Sequence, residues 1–137
     1  MFAQLDTKSV YSFMDSVVDL TTYIKRAKEL GYQALGLMDR DNLYAAYHFA
    51  QFASSKGLRP LIGMEANLFY EGRKIPFRLL AKNNQGYKNL MKLATELSSG
   101  QREFTAFSDY LNAIALILPS EDWEPGMTLG SEVFIGV

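Results

Sequence analysis

Apolar residues recur along the chain at two spacings, one typical of helices and one typical of buried strands. Segment Leu20–Leu30 carries apolar residues at positions i, i+3, i+4 and i+7, the spacing of an amphipathic helix. Gly31 follows it, as a residue that ends a helix should. Segment Ala34–Met38 is a short continuous apolar run, which is typical of a strand covered on both faces. The first half of the chain therefore alternates strands with helices.

Extended over the whole chain, this alternation predicts an α/β fold with mainly parallel strands and crossover helices. Asn84 is the predicted N-cap of the third helix, and Tyr70–Lys74 is a predicted hairpin-like turn. The predicted strands are Phe2–Asp6, Ala34–Met38, Leu58–Phe69, Ile75–Lys82, Ala113–Leu118 and Glu132–Val137. The predicted helices are Leu20–Leu30, Leu43–Ser55, Tyr87–Leu97 and a short one over Phe104–Leu111.

Composition narrows the class of protein. Hydrophobic residues make up 48% and charged residues 21% of 137 residues, which is typical of a globular chain. The net charge of −1 argues against a domain that binds DNA mainly by electrostatic attraction. Lys25, Arg26 and Lys28 cluster on one predicted helix, and a solvated helix face explains them better than a DNA-binding surface. No apolar run is long enough for a membrane span, and no signal peptide is visible, so we expect a cytoplasmic protein.

The supply of metal ligands is small. The chain has no cysteine and one histidine, His48, whereas transition-metal sites usually need several imidazole or thiolate groups. His48 lies between Tyr47 and Phe49 on the second predicted helix, where an exposed helix residue is the expected role. Any remaining metal site would depend on carboxylates and favour magnesium-like chemistry.

The end of the first predicted strand looks like a site. In the stretch FAQLDTKSVYSFMDS, Gln4, Asp6 and Lys8 alternate, which puts their three side chains on one face at the tip of a strand. These three residue types make a poor ligand set and include no obvious nucleophile. The chain therefore has the pattern of a site without the residues that would perform the chemistry.

Three stretches together resemble a known family. A strand-end motif that normally contains histidines has the same frame as FAQLDTKSVYSFMDS. A second motif, which ends in G-x-E, has the same frame as GYQALGLMDRDNLYAAYHFAQFASSKGLRPLIGMEANLF. A G-Y-x-N-L segment occurs in the third stretch, FRLLAKNNQGYKNLMKLAT. They are similar to the polymerase and histidinol phosphatase (PHP) domain at the N-terminus of bacterial replicative DNA polymerase III alpha subunits. The resemblance covers most of residues 1–100, and EVFIGV fits the next strand of the family.

The resemblance implies a distorted β/α barrel, of which this chain would be a truncated N-terminal part, residues 1–137. In active members a metal cluster at one barrel mouth hydrolyses phosphoesters. Asp15 and Glu65 match carboxylate ligands of the family, and Asp39 keeps the aspartate of its T-D-H motif. At four positions where the family has histidine, this chain has Asp6, Lys8, Arg40 and Pro76.

These replacements favour loss of the metal. Lys8 and Arg40 carry positive charge into the space where cations would be held, and two unit charges about 4 Å apart interact by roughly 4 kcal/mol at an effective dielectric near 20. We expect no metal in this fragment, with Lys8 and Arg40 paired to Asp6, Asp15, Asp39 or Glu65. Asp15 also fits a helix cap, Glu65 also fits a structural carboxylate, and Asp6 with Glu65 could still hold magnesium.

The resemblance implies that the parent protein is a DNA-directed DNA polymerase that uses Mg²⁺, with its catalytic carboxylates far downstream of this fragment. The fragment itself would have no activity and would support the polymerase chain or dock a proofreading exonuclease or another replisome protein. The parent protein would contact DNA. The isolated fragment could dimerise through an exposed strand edge. Two alternatives stay open: an active phosphoesterase or 3′–5′ exonuclease with a rearranged carboxylate site, and a binding module unconnected to a polymerase.

Overall fold

The computed structural model describes residues 3–7, 20–127, 129 and 132–136. These residues form an α/β arrangement in which the strand order follows the chain, β1-β2-β3-β4-β5-β6. The strands are β1 Ala3–Thr7, β2 Ala34–Arg40, β3 Arg59–Tyr70, β4 Arg73–Ala81, β5 Ile114–Pro119 and β6 Glu132–Gly136. The helices are α1 Leu20–Glu29, α2 Ala46–Ser55 and α3 Asn84–Ser98, with 3-10 helices at Phe104–Tyr110 and Ser120–Asp122.

The chain divides into two units, residues 1–64 and 65–137, and β3 belongs partly to each. In the first unit, β1 and β2 are parallel, with Ala3 opposite Ala34. Helix α1 buries Ile24 and Ala27 and packs on α2. Every residue of β2 except its last is buried, as the apolar run predicted.

Glycine ends α1 as predicted. Gly31 adopts φ +83°, and the Tyr32 N–H donates to the Ala27 carbonyl at 3.0 Å, which is the bond pattern of a Schellman cap. Leu30 was predicted inside the helix, but it lies in the turn after Glu29 and is exposed. The cap explains this difference, because the chain must leave the helical path just before the left-handed residue.

In the second unit, β4 and β5 are antiparallel and β5 and β6 are parallel, so the sheet is mixed. The predicted last strand is therefore confirmed, with Phe134 opposite Ile117. The core contains the ring of Phe104, which stacks on Phe77 with centroids 5.0 Å apart and meets Tyr70 edge-on at 5.6 Å. The predicted short helix over Phe104–Leu111 is a 3-10 helix that supplies this ring.

A two-residue turn joins β3 to β4. Glu71 and Gly72 have φ +49° and +80°, and positive φ at both central residues is the mark of a type I′ turn. Such a turn makes Tyr70 and Arg73 the closing pair of an antiparallel hairpin and so fixes its register. The prediction of a hairpin here is confirmed, although β4 begins two residues before Ile75.

The start of α3 sits directly against the turn that precedes β5. A Cβ on Gly86 would lie 2.2 Å from the Ala113 carbonyl oxygen, so only glycine fits there. The buried Asn89 side chain donates from Nδ2 to the Asn112 carbonyl oxygen at 2.8 Å. Ala113 itself adopts φ +61°. The GYKNL segment of the sequence therefore fixes a helix to a strained turn.

Several predicted boundaries were wrong by a few residues. Helix α2 begins at Ala46 and not at Leu43, because Asn42 first forms a turn with its own side chain. The N-cap of α3 is Asn83 and not Asn84, since the Asn83 Oδ1 accepts the Gly86 N–H at 3.0 Å. The first five predicted strands shift or lengthen by one or two residues at their ends, and the last begins at Glu132 as predicted. No helix among the described residues is long and apolar enough to cross a membrane.

Candidate functional site

The end of β2 carries two of the predicted site residues. Asp39 is 0% exposed and Arg40, the next residue, is exposed. Neighbouring residues of a strand point to opposite faces, so the carboxylate and the guanidinium leave the strand in opposite directions. Carboxylates this deeply buried are held by hydrogen bonds or opposite charges. A pairing of Arg40 with one of the predicted acidic groups stays a prediction.

The turn after β2 is built by asparagine. The Asn42 Nδ2 donates to the Arg40 carbonyl oxygen at 2.8 Å, and its Oδ1 accepts the Tyr44 N–H at 3.1 Å. Asp41, which lies between Arg40 and Asn42, adopts φ +60°, a conformation that Asn and Asp tolerate better than other residues with a Cβ. The DRDN stretch is thus a fixed connection at the carboxyl end of a parallel strand, where sites of β/α barrels usually lie.

The second unit holds the other two described positions, Glu65 and Pro76. Glu65 is 8% exposed and lies on β3 on the face opposite to the buried Ala66. Pro76 is half-buried and stands between Ile75 and Phe77, whose side chains are fully buried on the core face of β4. Glu65 and Pro76 therefore share the face of the hairpin that turns away from this core.

The hairpin register explains how a proline fits into β4. Counting from the Tyr70–Arg73 closing pair that a type I′ turn implies, Pro76 is predicted to lie opposite Asn67 in a pair that exchanges no backbone hydrogen bonds. The ladder between β4 and β5 runs from Arg78 to Ala81 and so does not reach Pro76. Proline, which has no N–H, therefore breaks no bond of this ladder.

The same register brings a cation to Glu65. The type I′ turn predicts Arg78 opposite Glu65, again in a pair without backbone hydrogen bonds, and in such pairs the two Cα atoms are about 4.5 Å apart and the side chains approach closely. Arg78 is half-buried, and its Nε atom is fully buried. Analysis of the sequence missed this residue. The Glu71–Gly72 dipeptide could have revealed it, because a two-residue turn sets the partner of every residue in the hairpin.

The remaining predicted positions are not all described. Asp6 lies in β1, of which only the backbone is described, and Lys8 and Asp15 fall outside the described residues. Within residues 20–127, 129 and 132–136, no three His, Cys, Asp or Glu side chains come together as a metal site would need. His48 is exposed as expected, and its ring meets Tyr47 edge-on with centroids 6.0 Å apart.

The register of the type I′ turn predicts a guanidinium opposite Glu65, and proline offers no side-chain ligand at a position where the resemblance implies histidine. A cation close to that arginine would be repelled. That these positions hold no metal stays a prediction.

Comparisons with known proteins agree with the sequence motifs. A family model described as the PHP domain matches residues 4–123. The chain is 46% identical over 137 residues to "DNA polymerase III subunit alpha" of Streptococcus pyogenes serotype M1, which covers 100% of this chain and 13% of that protein. It is 32% identical over 126 residues to the protein of the same name from Bacillus subtilis, over 88% of this chain and 11% of that protein. The chain thus spans about an eighth of the curated relatives it matches.

Two solved structures share the fold. A putative metal-dependent phosphoesterase from Bifidobacterium adolescentis superposes with a TM-score of 0.52 at 16% identity, over 69% of this chain and 31% of that one. An amidohydrolase from Chromobacterium violaceum, solved with bound sulfate and no metal, also gives a TM-score of 0.52, at 17% identity over 80% of this chain and 49% of that one. At these identities the likeness concerns the fold alone, and it supports the predicted α/β fold of PHP type.

Proposed function

Because the chain belongs to the PHP domain family of DNA polymerase III alpha subunits, we propose that it is part of a PHP domain that has exchanged its hydrolytic metal site for paired side-chain charges. The domain then acts as a scaffold within a larger chain and does not cleave phosphoesters. The parent would be a cytoplasmic DNA-directed DNA polymerase that uses Mg²⁺ at carboxylates outside this chain.

The position of Arg78 opposite Glu65, which the register of the type I′ turn predicts, supports this proposal most strongly. Glu65 is a carboxylate that the resemblance implies as a ligand, and this register places a positive charge across from it. A unit charge about 4 Å from Arg78 would be repelled by roughly 4 kcal/mol at an effective dielectric near 20, and a divalent ion by about twice that. Such a penalty removes several orders of magnitude from the affinity of the site.

Loss of the metal leaves the domain with a mechanical role. We propose that its surfaces support the rest of the polymerase chain or dock a replisome protein such as a proofreading exonuclease. A dimer of the isolated chain stays a prediction. In each of these roles we expect Glu65 and Arg78 to form an ion pair between β3 and β4.

Metal titration tests the proposal. The purified chain is stripped of metal and titrated with Mn²⁺ by calorimetry, alongside a ligand-restored variant with histidine at Asp6, Lys8, Arg40 and Pro76 and the same variant carrying Arg78→Thr. We expect no saturable binding by the native chain. Restored histidines should bind at least about tenfold more tightly when Arg78 is also replaced, since tenfold needs only about 1.4 kcal/mol of relieved repulsion.

The controls separate local repulsion from net charge. Lys88→Thr removes one positive charge from the exposed face of α3 and should leave Mn²⁺ binding by the restored variant unchanged. Stoichiometric Mn²⁺ binding by the native chain that disappears in Glu65→Gln would refute the proposal. Mn²⁺-dependent trimming of a 3′-labelled single strand by the native chain, absent in Glu65→Gln, would show instead that the chain is an active nuclease.

A further inference from the structure

The exposed face of α2 is aromatic and uncharged. Tyr47, His48 and Gln51 are exposed on this helix, and Tyr44 is exposed in the turn that leads into it. Their spacing of i, i+3, i+4 and i+7 is that of neighbours on one side of a helix. We refer to these four residues as the aromatic stripe.

The other α-helices of the described residues have charged exposed faces. Helix α1 presents Lys25 and Lys28 to solvent, and α3 presents Lys88 and Lys92. Residues 42–55 contain no Asp, Glu, Lys or Arg, although 21% of the whole chain is charged. Helix faces that stay in water usually carry charged residues, so α2 has the composition of a helix that another surface covers.

Two contacts fix the aromatic stripe in place. The Gln51 Nε2 donates to the Tyr47 hydroxyl oxygen at 2.8 Å, and the His48 ring meets the Tyr47 ring edge-on with centroids 6.0 Å apart. Because these contacts already hold the Tyr47 ring, docking another surface on it costs little side-chain entropy. The bond from Gln51 uses a lone pair of the hydroxyl oxygen, so the O–H is available to donate to a carbonyl of the docked surface.

The size of the aromatic stripe indicates what kind of surface covers it. Tyr44 is 74% and Tyr47 is 65% exposed, and aromatic residues bury about 150–250 Å² each, so the two residues offer roughly 200–350 Å². A stable complex between separate proteins needs about 800 Å² on each partner, which is more than twice this area. Interfaces between domains of one chain bury about 600–1,500 Å² in total, so the stripe supplies much of one side of a small one.

We propose that the aromatic stripe docks against another part of the same polypeptide, outside residues 1–137. This chain covers only 13% of the Streptococcus pyogenes relative, so most of a parent of that length lies outside it. Within one chain the effective concentration of a tethered surface reaches the millimolar range, which makes a small interface sufficient.

The chemistry of the stripe also defines the surface that docks on it. That surface is apolar and uncharged and offers a carbonyl oxygen to the Tyr47 hydroxyl, because a charge buried against these rings would find no opposite charge in the stripe. This inference rests on the proposed function, in which the domain supports a larger polymerase chain, and it names the helix face that provides the support.

Stabilisation of α2 itself offers a purely structural account of the same residues. Side chains four positions apart, such as Tyr47 and Gln51, stabilise a helix by their contact. That account does not explain Tyr44, which precedes the helix and is still 74% exposed. It predicts that replacing the tyrosines affects α2 alone, whereas docking predicts an effect on a segment outside residues 1–137.

Photo-cross-linking within the full-length protein tests the proposal. Tyr44 and Tyr47 are replaced one at a time by p-benzoyl-L-phenylalanine, which keeps an aromatic ring, and Lys92 on the exposed face of α3 is replaced as a control. After irradiation, cross-linked peptides are identified by mass spectrometry. We expect positions 44 and 47 to link to peptides outside residues 1–137, in a product that keeps the mass of a single chain on a denaturing gel.

Hydrogen exchange in the full-length protein measures the effect of removing the contact. Tyr44→Glu/Tyr47→Glu is compared with Lys88→Glu/Met91→Glu, which puts two carboxylates at the same spacing on the exposed face of α3. We expect the first variant to raise amide exchange in the cross-linked segment by at least about tenfold, because local opening there becomes easier. The second variant should leave exchange in that segment unchanged.

Each outcome decides the question. Cross-links that join two copies, reach a different protein or stay within residues 1–137 would overturn the proposal, as would equal exchange in the two double variants. If circular dichroism shows that Tyr44→Glu/Tyr47→Glu is unfolded, Tyr44→Gln/Tyr47→Gln repeats the comparison without added charge. Saturable Mn²⁺ binding together with the expected cross-links would refute the loss of the metal and leave this interface standing, so the two proposals fail separately.

Discussion

Replacing Gly86 with alanine tests the junction between α3 and the turn before β5. Two effects predict changes of opposite sign in the free energy of unfolding. Within a helix, alanine is favoured over glycine by about 0.5–1 kcal/mol, so propensity alone predicts stabilisation. The structure predicts the reverse, since the new Cβ would lie 2.2 Å from the Ala113 carbonyl oxygen, where ordinary contact needs 3.4 Å or more. The start of the helix would have to move by about 1 Å.

That movement has a cost that can be divided into two parts. Forcing an extra methyl group into a packed contact costs about 1–3 kcal/mol. The shift also pulls Asn89 away from the Asn112 carbonyl oxygen, now 2.8 Å from its Nδ2, and an unmade buried hydrogen bond costs about 1–3 kcal/mol. After the helix propensity gain, we expect Gly86→Ala to lower the free energy of unfolding by about 2–4 kcal/mol.

Urea denaturation followed by far-ultraviolet circular dichroism measures this change. Gly100→Ala is the matched control, because a Cβ there meets nothing within 4 Å and is penalised only by its φ of +101°. We expect that control to lose about 1–2 kcal/mol. A Gly86→Ala chain as stable as the native one, or more stable, would show that the contact with Ala113 is not a real constraint.

Two further predictions concern single hydrogen bonds. Asn83→Ala should lower the free energy of unfolding by about 1 kcal/mol because it removes the side chain that caps α3. Asn84→Ala should change the free energy of unfolding by less than about 0.5 kcal/mol. Denaturation midpoints that rank the two variants in the opposite order would show that Asn84 is the cap. Coulombic repulsion from Glu96 raises the pKa of Tyr110, which donates to that carboxylate at 3.3 Å. Stability from this contact is present below the ordinary tyrosine pKa near 10 and is lost as the pH rises through the raised value. Glu96→Gln should lower the pKa of Tyr110 in an absorbance titration of the phenolates, and an unchanged titration curve would exclude Glu96 as the cause.

Sequence pattern predicted the ends of the helices well where glycine is obligatory. Gly31 and Gly57 both adopt positive φ two residues after the last residue of α1 and of α2, and few other residues can do so at low cost. The start of α3 was harder to predict, because Asn83 and Asn84 are adjacent and of the same type. Only the bond from the Gly86 N–H identifies the first of them as the cap. Local chemistry thus predicts which residue types cap a helix. When two adjacent residues are of the same type, only the structure shows which of them is the cap.

The candidate site was predicted less completely than the fold. Motif positions gave Asp39, Glu65 and Pro76; Asp39 on β2 and Glu65 on β3 are buried, and Pro76 on β4 is half-buried. Arg78 has no counterpart in the motif, and its partner becomes visible only when the hairpin register is known. The predicted strands left five residues for the turn, and a turn of that length leaves the register open. Pairing between strands is a property of the turn and not of either strand alone.

The type I′ turn also bears on the order in which the chain folds. Glu71 and Gly72 are the only residues between β3 and β4, whereas residues 8–33 separate β1 from its parallel partner β2. Loop closure over a long segment is slow and entropically costly, and a tight hairpin can form within microseconds. We therefore expect β3 and β4 to act as an early nucleus, with amide protons of Phe77 and Leu79 protected in pulse-labelled exchange before those of Leu35 and Leu37. Protection in the opposite order would mean that assembly begins among the parallel strands.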